Sequence, residues 1–181
     1  MRLVTYGHRG WERAGAVLDD WVVDLQRAAA ECFGARGEAL VPQTVRGLLE
    51  LTPESLRLVA EALDHVRQNF TREADRFQAE GILFSLREVR LRPPIPNPAK
   101  VICLGLNYRD HAEESGAPVP EVPELFAKYA NALIGPGEPI RIPRVSTQVD
   151  YEAELAVVIG RGGRYIPEAE AYEYVAGYTA F

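Results

Sequence analysis

Three acidic residues alternate in Asp150-Tyr151-Glu152-Ala153-Glu154, directly ahead of the apolar run Leu155-Ala156-Val157-Val158-Ile159. Alternate side chains of a strand share a face. The spacing therefore predicts one strand over residues 150–159, with Asp150, Glu152 and Glu154 on one side and Tyr151, Ala153, Leu155, Val157 and Ile159 on the other. Like charges adjacent on one face repel, so the arrangement calls for water or a cation. Oxygen-only ligation by carboxylates suits Mg²⁺, Mn²⁺ or Ca²⁺ rather than zinc. The same alternation also describes the solvent face of an edge strand. Against that, the acidic face turns apolar at Ala156 and Val158, which predicts a strand entering a core just after its carboxylates.

A second group lies upstream, in Gly105-Leu106-Asn107-Tyr108-Arg109-Asp110-His111-Ala112-Glu113-Glu114. Its polar part reads as a short helix, on which His111 and Glu114 face each other while Glu113 does not. A carboxylate beside an imidazole fixes its tautomer and raises its basicity, as a general base near neutral pH requires. An ordinary helix surface has the same spacing. His8 and His65 lack such context, and His65 reads as part of a solvated helix face. Between the two groups stand Phe126-Ala127-Lys128 and Gly135-Pro136-Gly137-Glu138. Lys128 suits either a substrate carboxylate or a surface ion pair. The Gly-Pro-Gly makes a tight, stiff turn, and the spacings of a phosphate loop or dinucleotide fingerprint are absent.

These residues need elements to hold them. Residues 100–106 read as a buried strand, in which Cys103 behaves as a small buried hydrophobe. From there to residue 150 the chain is broken by Pro118, Pro120, Pro123 and the Gly-Pro-Gly turn. Upstream, Arg92-Pro93-Pro94-Ile95-Pro96-Asn97-Pro98 can be neither helix nor central strand and reads as a linker. The expected boundary is near residue 92, with a small α+β domain over 1–92 and a β-rich domain over 93–181.

In the first domain Leu3-Val4-Thr5-Tyr6, Ala16-Val17-Leu18 and Trp21-Val22-Val23 read as short strands, with Asp19-Asp20 as a hairpin turn. A helix is predicted over 25–33, ended by Gly34 or Gly37, and a shorter one over 45–49. Thr52 reads as the N-cap of the clearest helix, whose apolar stripe is Leu56, Val59, Ala60, Leu63, Val66 and Phe70. Thr71 reads as the cap of a second helix running to Gln78.

The 181 residues are 47% hydrophobic and 25% charged, an ordinary globular composition able to bury a core. A net charge of −6 and the lack of any Lys/Arg run exclude general attraction to nucleic acid or an anionic membrane. Cys32 and Cys103 form no metal-binding cluster. The first residues lack the apolar core of a signal peptide, and no apolar run approaches the roughly 20 residues that span a bilayer. A cytoplasmic protein is the expectation.

Taken in order, Lys100-Val101-Ile102-Cys103-Leu104-Gly105-Leu106-Asn107-Tyr108-Arg109-Asp110-His111, then Phe126-x-Lys128, Gly135-Pro136-Gly137-Glu138-Pro139-Ile140 and Asp150-Tyr151-Glu152-Ala153-Glu154-Leu155 resemble the fumarylacetoacetate hydrolase family over residues 94–181. The resemblance implies an α+β protein, a small amino-terminal domain ahead of a mixed β-roll or sandwich-like catalytic domain, normally a homodimer. It implies Glu152 and Glu154 as two of three carboxylate ligands to Mg²⁺ or Mn²⁺. His111 and Glu114 match the catalytic pair, on a segment that orders over substrate, and Lys128 matches a lysine of the same pocket. Asn107, Tyr108 and Arg109 are the implied substrate contacts. The third ligand, an aspartate soon after a Gly-Tyr-containing strand, would follow Gly177-Tyr178-Thr179-Ala180-Phe181, so the catalytic domain is expected to be cut short. The implied activity is metal-dependent hydrolysis, isomerisation or decarboxylation of 2-oxo or 1,3-dicarbonyl acids, hydrolysis foremost. The rival readings are a catalytically incomplete fragment and a small-acid-binding β domain without metal.

Overall fold

A computed structural model describes residues 1–51 and 53–181, without the side chains of residues 53–55. Its amino-terminal part is built on β1 (Leu3–His8), β2 (Trp11–Leu18) and β3 (Trp21–Asp24). Asp19, at φ 51°, turns β2 into β3 with Leu18 opposite Trp21. Asp and Asn tolerate this left-handed conformation better than other side chains do. β3 runs straight into α1 (Leu25–Phe33), because Asp24 caps it by accepting a hydrogen bond from the Arg27 N–H. Gly34 ends α1, and α2 (Ala35–Leu40) and α3 (Val45–Leu49) follow.

The next element is a single helix, α4 (Pro53–Ala79), where two were expected. Thr71 starts no new helix, since an N-cap signal inside an uninterrupted apolar stripe does not outweigh continuous packing. The expected cap at Thr52 lies outside the described residues. Among the described side chains of α4, Val59, Ala62, Leu63, Val66 and Phe77 are buried, and Ala60, expected on that stripe, is exposed. Each fully buried large apolar side chain, Phe77 for example, contributes about 1.5–3 kcal/mol by leaving water.

Two short strands, β4 (Leu83–Ser85) and β5 (Arg90–Arg92), complete an antiparallel sheet of order β4-β3-β2-β1-β5. One face of the sheet packs on the helices through Ala14, Ala16, Val23, Leu25, Ala28, Leu48 and Leu83. A smaller aromatic cluster of Tyr6, Trp11 and Phe84 forms on the other.

Inside this unit lies a fully buried carboxylate. Asp24 accepts from the Tyr6 hydroxyl at 2.7 Å and from Arg13 Nε at 2.5 Å, in addition to its cap bond. Burial, and then the Asp24 charge, push the Tyr6 phenol far above its ordinary value. Arg13 Nη2 adds a fourth bond at 3.2 Å, so the charge is well met, as a buried carboxylate requires.

After residue 92 the chain forms two hairpins. β6 (Val101–Gly105) pairs with β7 (Glu124–Lys128), and β8 (Leu155–Ile159) pairs with β9 (Val175–Ala180). Neither hairpin strand run is the buried one that its composition suggests. Ile102, Leu104, Leu125, Leu155, Val157 and Ile159 are all exposed, and Cys103 is only half-buried. The predicted strand over 150–159 begins only at Leu155, so the acidic alternation precedes the strand instead of riding on it. Among the described residues, no helix is long and apolar enough to cross a membrane.

Candidate active site

The turn out of β6 sets the position of the histidine. Leu106 adopts φ 47°, a conformation uncommon for a non-glycine residue, and redirects the chain from β6 into α5 (Arg109–Glu114). Asp110 accepts from the His111 N–H through Oδ1 at 3.0 Å. At the other end Gly116, at φ 67°, allows the chain to turn back. Its N–H reaches the Glu113 carbonyl and the Ala117 N–H reaches the Ala112 carbonyl at 2.9 Å, the paired bonds that stop a helix on a left-handed residue. Ser115 Oγ adds a bond to the His111 carbonyl at 2.8 Å. A six-residue helix is thus fixed at both ends, with Ala112 buried and His111 exposed.

The carboxylates come from the other hairpin. Glu154 exchanges both backbone hydrogen bonds with Phe181, each 2.9 Å, which extends the β8–β9 pairing by one residue and holds Glu154 half-buried. Glu152 lies one turn of the alternation further out and is exposed.

These two segments meet. A pocket of about 250 Å³ is lined by Tyr108, Asp110, His111, Glu114, Glu152, Ala153 and Glu154. His111 Nδ1 stands 4.0 Å from Glu152 Oε1, too long for a hydrogen bond but short enough for attraction when the imidazole is protonated. Among the described residues, no hydrogen bond joins His111 to Glu114, although Glu114 lines the same pocket. The carboxylate closest to the imidazole is therefore the distant Glu152, not the helix neighbour that the spacing favoured.

Three of the expected site residues are elsewhere. Lys128 ends β7 opposite Val101, with Nζ 5.9 Å from the Phe126 ring centroid, outside the pocket wall. Asn107 and Arg109 also lie outside it, whereas Tyr108 lines it. Asp110 and Ala153 belong to the wall and were not singled out. Ala153 sits between two carboxylates and Asp110 beside the histidine, so their neighbours were the available signal.

The wall contains four carboxylates and no lysine or arginine. Such an oxygen-only donor set fits a hard divalent cation in type and suits Mg²⁺, Mn²⁺ or Ca²⁺. Among the described residues, no three His, Cys, Asp or Glu side chains converge closely enough to hold an ion as they stand. Glu152, Glu154 and Glu114 all line the pocket.

Residues 100–181 match the family model described as fumarylacetoacetate (FAA) hydrolase C-terminal. The chain is 40% identical over 173 residues to the oxaloacetate tautomerase YisK of Bacillus subtilis (strain 168), covering 91% of this chain and 54% of YisK. It is 40% identical over 139 residues to the mitochondrial oxaloacetate tautomerase fahd2 of Xenopus laevis, covering 77% of this chain and 39% of that protein. The crystal structure of 5-carboxymethyl-2-hydroxymuconate delta-isomerase from Mycobacterium smegmatis is similar over 99% of this chain and 53% of its own, with a TM-score of 0.60 at 27% identity. The chain thus spans about half the length, or less, of these relatives. In motif order, in fold and in sequence, it belongs to the fumarylacetoacetate hydrolase family.

Proposed function

We propose that this chain carries the histidine–carboxylate side of an enzyme that interconverts the keto and enol forms of a small 2-oxo dicarboxylic acid. The observation that carries the reading is the meeting of His111 with Glu152 in a pocket otherwise walled by Glu114, Glu154, Asp110 and Tyr108. Tautomerisation moves one proton from the carbon next to a carbonyl to the carbonyl oxygen, and nothing else is added or lost. A neutral imidazole is the side chain suited to taking that proton near pH 7, and a carboxylate close by stabilises the imidazolium that results. The 4.0 Å separation of Glu152 Oε1 from His111 Nδ1 supports this role for Glu152, and Glu114, which also lines the pocket, is a second candidate.

Four carboxylates repel an oxo diacid unless their charge is offset, which is why a divalent cation belongs to the proposal. Glu152 and Glu154 would hold it, with Glu114 next in reach. When bound, Mg²⁺ or Mn²⁺ supplies Lewis acidity at the substrate's oxygens and lowers the cost of charge developing there. Tyr108 places a phenol at the pocket edge that can donate to a substrate oxygen. Relatives named as oxaloacetate tautomerases at 40% identity support isomerisation over the hydrolysis first favoured. A homodimer remains an expectation from the family resemblance, and cytoplasmic residence one from the sequence alone.

The reading is tested by following loss of the enol absorbance of oxaloacetate with the complete protein and Mn²⁺. Acceleration that disappears in His111→Ala supports it. Equal rates with wild type, variant and Mn²⁺ alone would defeat it.

A further inference from the structure

We infer that the Gly135–Glu138 turn is a fastening. It ties the base of the β6–β7 hairpin back onto β5, so that the hairpin bearing α5 and His111 is attached to the amino-terminal sheet at two points instead of one.

The first point is covalent. The chain leaves the sheet at Arg92, the end of β5, and enters the hairpin at Val101. It leaves the hairpin at Lys128, directly opposite Val101 in the register. A hairpin held only by residues 93–100 would be free to swing about that connection.

The second point is built from packing and charge. Gly135 lies against the backbone of β5 so closely that a Cβ there would meet the Leu91 carbonyl oxygen at 2.5 Å and Arg92 Cα at 2.9 Å. Only glycine fits such an approach. The next residues turn on Pro136 and Gly137, with the Glu138 N–H donating to the Gly135 carbonyl at 3.1 Å. The Glu138 side chain, 12% exposed, then lies between two arginines of β5, with Arg90 Nη2 at 2.9 Å and Arg92 Nη1 at 2.5 Å. Arg92 Nε also lies 2.8 Å from Glu12 Oε1 of β2, a charge contact without hydrogen-bond geometry. Arg90 and Glu12 are exposed, but Glu138 and Arg92 at the centre are largely covered, and with the backbone contact of Gly135 the arrangement is more than a lone surface pair. Beyond the start of the connection, where Thr5 Oγ1 donates to the Pro94 carbonyl and Ile95 packs on the core, the turn that the sequence marked only as stiff is a second contact of the later residues with the sheet.

The inference needs no activity, so its failure is separable from failure of the proposed reaction. Amide hydrogen exchange would be compared in wild type, Glu138→Ala, Glu138→Gln and Gly135→Ala. Each Ala variant should speed exchange by about tenfold or more in residues 101–105 and 133–140, leaving β1 and β2 as protected as in wild type. Glu138→Gln, which keeps an oxygen acceptor for the arginines, should recover part of the protection. Tryptic cleavage after Lys100 and Arg141 should accelerate in the same order. Unchanged exchange in both segments in the Ala variants would overturn the inference. Uniform loss of protection reaching β1 and β2 would overturn it as well, because it would show general destabilisation and not the release of a local fastening.

Discussion

The imidazole of His111 faces the carboxylate of Glu152, Nδ1 to Oε1 at 4.0 Å, across two hairpins that share no strand. A base on one hairpin and a carboxylate on the other make the pocket depend on how the two hairpins are held. His111→Ala in the complete, metal-loaded enzyme should reduce turnover roughly 10²–10⁴-fold, the usual contribution of a positioned general base. Metal affinity should stay near the wild-type value, since His111 is not proposed as a ligand. A calorimetric titration showing lost metal binding in this variant would reassign it.

Glu152→Gln together with Glu154→Gln should abolish Mn²⁺ binding by the complete protein, because two of the anionic oxygens facing the pocket are replaced by neutral amides. Isothermal titration that still shows binding at wild-type strength would remove the cation from this wall.

Stability of the amino-terminal unit should depend strongly on Asp24. Asp24→Ala strands Arg13 in a nearly buried position and removes the α1 cap, a loss of about 3–5 kcal/mol. Tyr6→Phe removes one charge-assisted bond and should cost about 1.5–3 kcal/mol. Urea unfolding followed by tryptophan fluorescence gives both numbers, and near-neutral substitutions would mean that the buried pair contributes little.

Stability against pH should fall on both sides. The Tyr6 pKa is raised, by burial first and Asp24 second, so its contribution is full below the phenol's ordinary 10.0 and is lost as pH rises beyond it. Glu31, hydrogen-bonded to Arg76, and Glu138, bonded by the Gly135 backbone and flanked by Arg90 and Arg92, titrate below their ordinary 4.5. Their contributions are present above that value and lost as acid lowers the pH through their depressed pKa values. Thermal midpoints measured across pH should form a plateau between these limits, and Tyr6→Phe should flatten the alkaline side.

The exposed apolar residues of the two hairpins form surfaces that favour association. Residues 1–181 should bind a hydrophobic dye and self-associate with rising concentration in sedimentation velocity. Ile102→Lys combined with Val157→Lys should suppress both effects.

The strands β1 and β3, the Asp19-Asp20 turn, the helix at Leu25–Phe33 and the short helix at Val45–Leu49 were legible because each has a local cause, while the sequence left Gly34 and Gly37 both open as the stop of the first helix. β4 and β5 were not. Three residues carry too little periodicity to register, and both strands exist only because a long-range partner accepts their hydrogen bonds. The hairpin runs Val101–Gly105 and Leu155–Ile159 showed strand type correctly but not environment, since apolar composition says what a side chain prefers and not what covers it. At the site, the residue types and their order were readable. The pairing was not, because a helix suggests neighbours at three and four residues, while the closest carboxylate to His111 comes from a segment beyond the Gly-Pro-Gly turn.

The sheet order places β1 between β2 and β5, with Thr5 opposite Arg92. β1 therefore leaves the ribosome well before β5 and waits for it before both its edges are paired. Throughout synthesis of α4, a nascent chain presents β1 as an open edge that another strand can join. Slow translation through the helix prolongs that exposure, and a chain released before Arg90 never closes it. β1 thus keeps an open edge for longer during synthesis than β3, whose late partner β4 precedes β5 in the chain.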